Sequence, residues 1–297
     1  MDTNTRISDA PKVSVIMNCY NCSKYMREAI DSVYSQTYKD WEIIFWDNAS
    51  TDNSGKIARS YNDRLRYFRG ENLVTLGHAR NLAIEKARGK YIAFLDCDDI
   101  WLPEKLKKQI GLMESNEGID LTYTDCFLID GEGNFLKHIF SEIQKFYRGY
   151  IFGRLLYNDF IIFSTVVLRR AMLENTGLFN PNYKIVEDYD LLLRVAETHK
   201  IDFINQSLVK YRYHNSNLSN NLEQLAQEEY HLIDSWTNKK TNFRYNVKKL
   251  INRKKLFLNL RLLKFYFLKL DYINVYKVSL NIPKFLYLYL KLRKFRE

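Results

Sequence analysis

The chain has 297 residues, enough for one large domain or two modest ones. Its composition, 46% apolar and 27% charged, is ordinary for a globular protein, and four unevenly placed cysteines exclude a disulfide framework. The net charge of +10 is unevenly held: residues 239–297 carry 17 Lys and Arg against Asp271 and Glu297, a balance of +15 that leaves the rest of the chain at −5.

Residues 1–10 (MDTNTRISDA) are polar and read as a flexible N-terminus. The first apolar run, Val13 to Met17, is too short for the hydrophobic segment of a signal peptide, so a reducing cytoplasmic compartment is expected. Lys12–Cys19 is a β-rich run, and Lys24–Gln36 has apolar residues at helical spacing. Trp41–Trp46 reads as a second buried strand, and the polar loop Asp47–Ser54 leads into a short helix. Leu65–Phe68 is a third strand, and a helix over His78–Ala87 stops at Gly89. Tyr91–Leu95 is a fourth strand. A helix over Pro103–Glu114 has proline in its first turn, and the strand Leu121–Ile129 ends in the turn Asp130-Gly131. Beyond residue 131 the pattern weakens to a β-like stretch at Ser164–Leu168, a helix near Tyr189–Thr198 and a strand from Phe203 to Tyr213.

Strand and helix alternating at this spacing predict parallel pairing with right-handed crossovers, hence an α/β sandwich with a mostly parallel sheet. Ligands bind at the carboxyl ends of such strands, and polar residues gather there: Asn18 and Asn21, Asp47 and Asn48, then Asp96, Asp98 and Asp99. Three carboxylates within four positions, straight after a core strand, are tolerated only where something positive offsets them. Asp96 and Asp98 share one side of an extended chain, which suits a hard divalent cation, Mg2+ or Mn2+. Asp99 fits the cap of the turn before Pro103. Cys19 and Cys22 form a C-x-x-C with no second pair to complete a zinc set, and Cys97 fills the position between the two carboxylates. No glycine-rich phosphate loop is found, so metal and side chains must hold any phosphates.

The segments VSVIMNCYN (13–21), AIDSVYSQTYKDWEII (29–44), WDNASTDNS (46–54), GHARNLAIEKARGKYIAFLDCDDIWLPEKL (77–106), EDYDLLLR (187–194) and YRYHNSNLS (211–219) together resemble family 2 glycosyltransferases of the GT-A fold, in order and across residues 12–220. The resemblance implies a GT-A domain over 11–225, with a nucleotide-binding part at 11–130 and an acceptor-binding part at 131–225. It implies an inverting transfer of sugar from a nucleotide diphosphate donor to a hydroxyl of a glycan or lipid-linked acceptor in surface-glycan synthesis. The family's D-x-D pair falls on Asp96 and Asp98, with Asp98 the direct metal ligand and Asp96 reaching the donor's ribose or the metal's water shell. Asn18, Tyr20, Asn21, Asp47 and Asn48 match positions that hold base and ribose; Asn48 replaces a frequent Asp, leaving UDP- or dTDP-linked donors favoured. Arg80 and Asn81 match a pair near the diphosphate, although Arg80 also reads as a solvated helix-face charge. In Glu187-Asp188, Asp188 takes the role of general base, Asp190 being the next choice, and Glu187 orients acceptor or base. His214 matches a histidine that in some relatives approaches the metal or the diphosphate, and its neighbour Arg212 is placed to assist the leaving diphosphate. A catalytically silent sugar-nucleotide-binding scaffold at the membrane is the competing reading.

The basic tail interleaves Lys and Arg with Leu, Phe, Tyr and Ile from residue 243 onward, and no apolar run reaches the roughly 20 residues of a membrane span. Residues 226–297 therefore read as amphipathic helices, divided near Pro283, that lie on the anionic inner face of a cell membrane. Packing on the body or an oligomer contact is the second reading. A nucleic-acid partner is not expected, since no recognition module accompanies the charge.

Overall fold

The computed structural model describes residues 10–139, 146–237, 239, 247–269 and 271–283. Nine of the ten residues of the expected flexible N-terminus, and the end of the basic tail beyond Pro283, lie outside the described residues.

Four strands form the parallel centre of the sheet: β1 (Val13–Cys19), β2 (Trp41–Asp47), β3 (Leu65–Arg69) and β4 (Tyr91–Phe94), in the order β3-β2-β1-β4. β1 and β2 are apolar almost throughout because both faces are covered. Helix α1 (Met26–Tyr34) packs Met26, Ala29, Ile30 and Val33 against Val13, Val15 and Met17 on one face. After the short α2 (Ser54–Ala58), helix α3 (Leu76–Ile84) lays Ala79 and Ala83 on Ile16, Ile44 and Phe94 on the other face. The result is the expected α/β/α sandwich. Past α3, Gly89 passes so close to β1 that a Cβ there would stand 2.5 Å from the Ser14 amide nitrogen.

Beyond β4 the sheet becomes mixed. The two-residue β5 (Ile100–Trp101) precedes helix α4 (Lys105–Ser115), and β6 (Leu121–Ile129) carries the antiparallel β7 (Phe135–His138). Helix α5 (Phe152–Tyr157) and a 3-10 turn at Phe163–Thr165 lead to β8 (Val167–Arg169), which runs antiparallel between β4 and β6. β8 follows an irregular segment rather than a crossover helix, and nothing forces it into parallel register. Helices α6 (Met172–Thr176) and α7 (Glu187–Thr198) then lead to β9 (Ile201–Arg212), parallel to β6 and antiparallel to β5.

The start of the tail does not stand apart. The expected boundary at 225/226 falls inside helix α8 (Leu222–Ser235), whose Ala226, Leu232 and Ile233 are fully buried. Helix α9 (Val247–Leu268) packs along α8 and α5, followed by α10 (Tyr272–Ser279). Lys254 lies 2.9 Å from Glu229, Arg261 lies 3.7 Å from the same carboxylate, and Lys255 pairs with Asp234. Part of the basic charge expected to face a membrane is thus turned inward, onto the acidic side of α8.

Candidate active site

The carboxyl ends of β1, β2 and β4 meet the start of α7 and the end of β9. Asp96 follows β4 and is the most exposed member of the cluster, its side chain 40% accessible. Its backbone N–H donates to Ser164 Oγ at 3.1 Å, and its Oδ1 accepts from Arg80 Nη2 at 2.9 Å. Arg80, on α3, is buried between the rings of Phe163 and Phe179, and its Nη1 donates to Glu187 Oε1 at 2.8 Å. One guanidinium therefore joins Asp96 to the Glu187-Asp188 pair, which excludes the solvated-face reading of Arg80. Gly77 allows the approach: a Cβ there would meet Glu187 Cβ at 3.2 Å and the Asn180 carbonyl at 3.2 Å.

Three carboxylates share that single guanidinium. Glu187 is almost fully buried, and its Oε2 has no hydrogen-bond partner among the described residues; burial first, and then the Asp188 charge, push its pKa up to about 8 against the pull of Arg80. Asp188 is partly exposed at the helix start, where its Oδ1 accepts from the Tyr189 N–H at 2.7 Å. Loss of solvent raises its pKa too, again opposed by Arg80. Asp190 points away from the cluster and pairs with Arg194 at 2.9 Å.

Asp98 Oδ2 lies 3.0 Å from His214 Nε2. His214 Nδ1 accepts from the Ser216 N–H at 3.2 Å, which leaves the ring proton on Nε2, facing Asp98. The imidazole stacks on Tyr25, with 5.1 Å between ring centroids. Burial, and then the charge of Asp96, raise the Asp98 pKa, while His214 opposes them. Asp99 is turned inward; its Oδ1 accepts from the Arg212 N–H at 2.9 Å rather than capping the following turn. With one oxygen of Asp96 on Arg80 and one of Asp98 on His214, Asp96 Oδ2 and Asp98 Oδ1 remain as hard oxygen donors at a partly exposed edge. That donor set fits a hard divalent cation. His214 orients Asp98 here, and must give up that hydrogen bond to ligate an ion through Nε2.

Several expected contact residues are engaged within the protein. Arg212 is buried, its Nε donating to the Asp98 carbonyl at 2.9 Å and its Nη2 to Glu28 at 2.7 Å, so it supports the Asp98 loop from beneath. Asn48 closes a reciprocal pair with the backbone of Val74 at 2.8 and 3.2 Å, and Asn81 does the same with Phe179 at 2.9 Å each way. Asn21 Oδ1 accepts from the Thr51 and Asp52 amides at 2.8 and 3.3 Å. Asp47 is wholly buried, accepting from Tyr67 Oη at 2.6 Å, Arg69 Nη1 at 2.7 Å and the Ser50 N–H at 2.8 Å. Asn21, Asp47, Asn48 and Asn81 thus brace the loops and neighbouring segments around the ends of β1 and β2 from within the protein. Tyr20 is exposed at their rim, and Asn18 keeps a buried Nδ2 without a hydrogen-bond partner among the described residues at the end of β1. Tyr25, Glu28 and Ser164, which hold His214, Arg212 and Asp96, were not singled out as site residues in the sequence; their only signal is a place in the helical run Lys24–Gln36 or in the β-like stretch Ser164–Leu168.

The sequence profile of glycosyl transferase family 2 matches residues 14–177. An uncharacterized glycosyltransferase of Methanocaldococcus jannaschii is 36% identical over 243 residues, 78% of this chain and 82% of the relative. The UDP-Glc:alpha-D-GlcNAc-diphosphoundecaprenol beta-1,3-glucosyltransferase WfgD of Escherichia coli is 35% identical over 212 residues, 70% and 80% of the two chains. Among solved structures, S. aureus TarS 1–349 in complex with UDP-GlcNAc superposes with a TM-score of 0.65 at 18% identity, covering 92% of each chain. The mannosyltransferase PcManGT of Pyrobaculum calidifontis, with GDP-Man and Mn2+, also gives 0.65, at 17% identity and 85% and 71% coverage. These two likenesses bear on the fold.

Proposed function

The chain belongs to glycosyl transferase family 2, and from that premise we propose that it is an inverting, divalent-metal-dependent glycosyltransferase that extends a glycan or lipid-linked acceptor at the inner face of a cell membrane. The observation that carries the reading is the Arg80 junction: one buried guanidinium fixes Asp96, at the donor edge, to Glu187, beside the proposed base Asp188. Inversion needs one displacement and no protein nucleophile, so a donor edge and a base held in fixed relation suffice.

Asp98 and Asp96 would hold Mn2+ or Mg2+, with His214 setting the orientation of Asp98. When bound, such an ion neutralises the diphosphate and the charge that develops on the departing nucleotide. The residues do the rest. The first two strand ends, with Tyr20 at the rim, cradle a UDP- or dTDP-linked donor; the relative named as a UDP-Glc transferase supports the pyrimidine choice. Asp188 takes the proton from the attacking hydroxyl. Glu187, kept protonated by burial, adds no second negative charge beside it.

The tail supports a peripheral place on the membrane. Among the described residues no helix is long and apolar enough to cross one. The outward side of α9 and α10 nevertheless mixes exposed Phe257, Phe267, Leu268 and Tyr276 with exposed Arg253, Lys264, Lys269 and Lys277.

The test is release of nucleotide diphosphate from a panel of sugar nucleotides, with a lipid-linked glycan acceptor and with Mn2+ present or chelated. Turnover of a pyrimidine-linked donor that needs the ion, and falls by about 10²–10⁴-fold in Asp188→Asn, bears the reading out. Undiminished turnover in Asp188→Asn, or in chelator, ends it.

A further inference from the structure

Three thiols converge beneath the carboxylate pair. Cys19 ends β1, Cys22 stands in the loop before α1, and Cys97 lies between Asp96 and Asp98; their sulfur atoms all lie within 4.8 Å of one another. Strand register brings two of them together. β1 and β4 pair in parallel with Val13 opposite Tyr91 and Ile16 opposite Phe94, and just past the end of β4 the chain still runs beside β1, where Cys97 Sγ reaches the Asn18 carbonyl next to Cys19. A turn delivers the third. Asn21 adopts the left-handed conformation, φ 54°, held there by its side chain on the Thr51 and Asp52 amides, and this returns Cys22 toward the end of β1. Cys19 and Cys97 are buried, while Cys22 is partly exposed and opens the cluster to solvent.

The sulfurs take no part in sugar transfer, and their polar contacts are weak. Cys97 Sγ donates to the Asn18 carbonyl at 3.3 Å, Cys22 Sγ to the Tyr20 carbonyl at 3.5 Å, and Cys19 Sγ lies 3.7 Å from Ser50 Oγ. Isolated buried cysteines are usually small apolar packing residues. Three from separate chain positions, with their sulfurs turned together, make a donor set. A Zn–S bond of about 2.3 Å in a tetrahedral set places sulfurs ~3.8 Å apart, and small rotations of these side chains cover the difference. Thiolates favour soft or borderline ions, whereas the oxygens of Asp96 and Asp98 favour hard ones. The two neighbouring donor sets therefore select different metals.

We propose that Cys19, Cys22 and Cys97 form a binding site for one thiophilic d10 cation of the Zn2+ or Cu+ class, separate from the oxygen-lined site at Asp96 and Asp98. The ion enters past Cys22, takes the three sulfurs as thiolates and leaves a fourth position for water. The thiol protons it displaces pass to solvent. Bound there, it staples the end of β1 to the chain between the two carboxylates.

Cobalt reports such a site without any assay of transfer. Untagged full-length protein is reduced with a phosphine, stripped with chelator and titrated anaerobically with Co2+. One equivalent should bring up a near-ultraviolet thiolate-to-cobalt charge-transfer band together with the strong visible bands of a four-coordinate site. Zn2+ should bleach both, and Mn2+ should not. Cys22→Ser, a change at a partly exposed loop position, should abolish the charge-transfer band while circular dichroism stays unchanged; Asp98→Asn should keep the band. Zn2+ should raise the Tm of the native chain and leave that of Cys22→Ser where it is. Absence of the band at one equivalent, its survival in Cys22→Ser or its loss in Asp98→Asn overturns the proposal.

Discussion

Arg80 and Glu187 are 107 positions apart in sequence and 2.8 Å apart in space, both almost fully buried. The contact ties helix α3 to the first residue of α7, and the other arm of the same guanidinium holds Asp96. Arg80→Lys keeps the charge but loses the fork that reaches both carboxylates. With Asp96 and Asp188 no longer held in fixed relation, kcat should fall by roughly 10²-fold, with a smaller change in donor KM. Steady-state kinetics on the folded variant checks this.

As the proposed base, Asp188 must be ionised to take a proton, and loss of solvent raises its pKa above the ordinary carboxylate value. Activity should therefore decline on acidification through an apparent pKa above ~4, the value for an exposed aspartate. In the residual activity of Asp188→Asn that acid limb should vanish. The pH profile of kcat for both proteins decides it.

Glu187 makes a separate prediction for stability. Its native pKa is raised to about 8, so between the unfolded value of 4.5 and about 8 the folded chain binds more protons than the unfolded one. Its contribution is complete below the lower value and is lost as pH rises through the upper one. Glu187→Gln removes the titration, and its Tm should exceed that of the native chain increasingly from pH 6 to about 8.5. Thermal unfolding across that range supplies the measurement.

Lys105, at the start of α4, is fully buried with its Nζ 3.9 Å above the Trp101 ring and no hydrogen-bond partner among the described residues, and burial lowers its pKa well below the usual value. The folded chain binds fewer protons there than the unfolded one, so this group's contribution rises with pH up to about 10.4. Lys105→Met keeps the length and removes the buried amine, and should stabilise the protein at neutral pH by roughly 1–3 kcal/mol. Denaturant titration tests the sign.

The outward side of α9 and α10 predicts binding to anionic vesicles. Replacing Phe257 and Phe267 by Ser and Arg253 and Lys264 by Gln should abolish co-sedimentation, and salt should weaken that of the native chain. Equal sedimentation of both proteins would contradict the peripheral-membrane reading.

Much of this arrangement was legible in the sequence, for identifiable reasons. Buried parallel strands read as unbroken apolar runs, so β1, β2 and β4 and the polar residues ending them stood out, as did the carboxylate pair. The β-like stretch Ser164–Leu168 overlapped β8, but its antiparallel direction was not legible, because a three-residue strand carries no period. Side chains that hold other side chains were also invisible: Tyr25 sits at helical spacing like any apolar residue, and nothing local announces that it stacks on His214. Asn48, Asn81 and Arg212 read as ligand contacts because residue type records what a group is able to bind. The structure shows each already bound to the protein. The cysteines illustrate the same limit. A C-x-x-C with no second pair looked incomplete until strand register set Cys97 beside it.

Gly77 gives the junction its dimensions. A hydrogen in place of a methyl group lets the two helices close to a separation at which one planar cation spans them. In the proposed reaction, the gap between donor edge and base is thus calibrated by an atom the chain omits, and any bulk introduced there would act as a shim between the two helices.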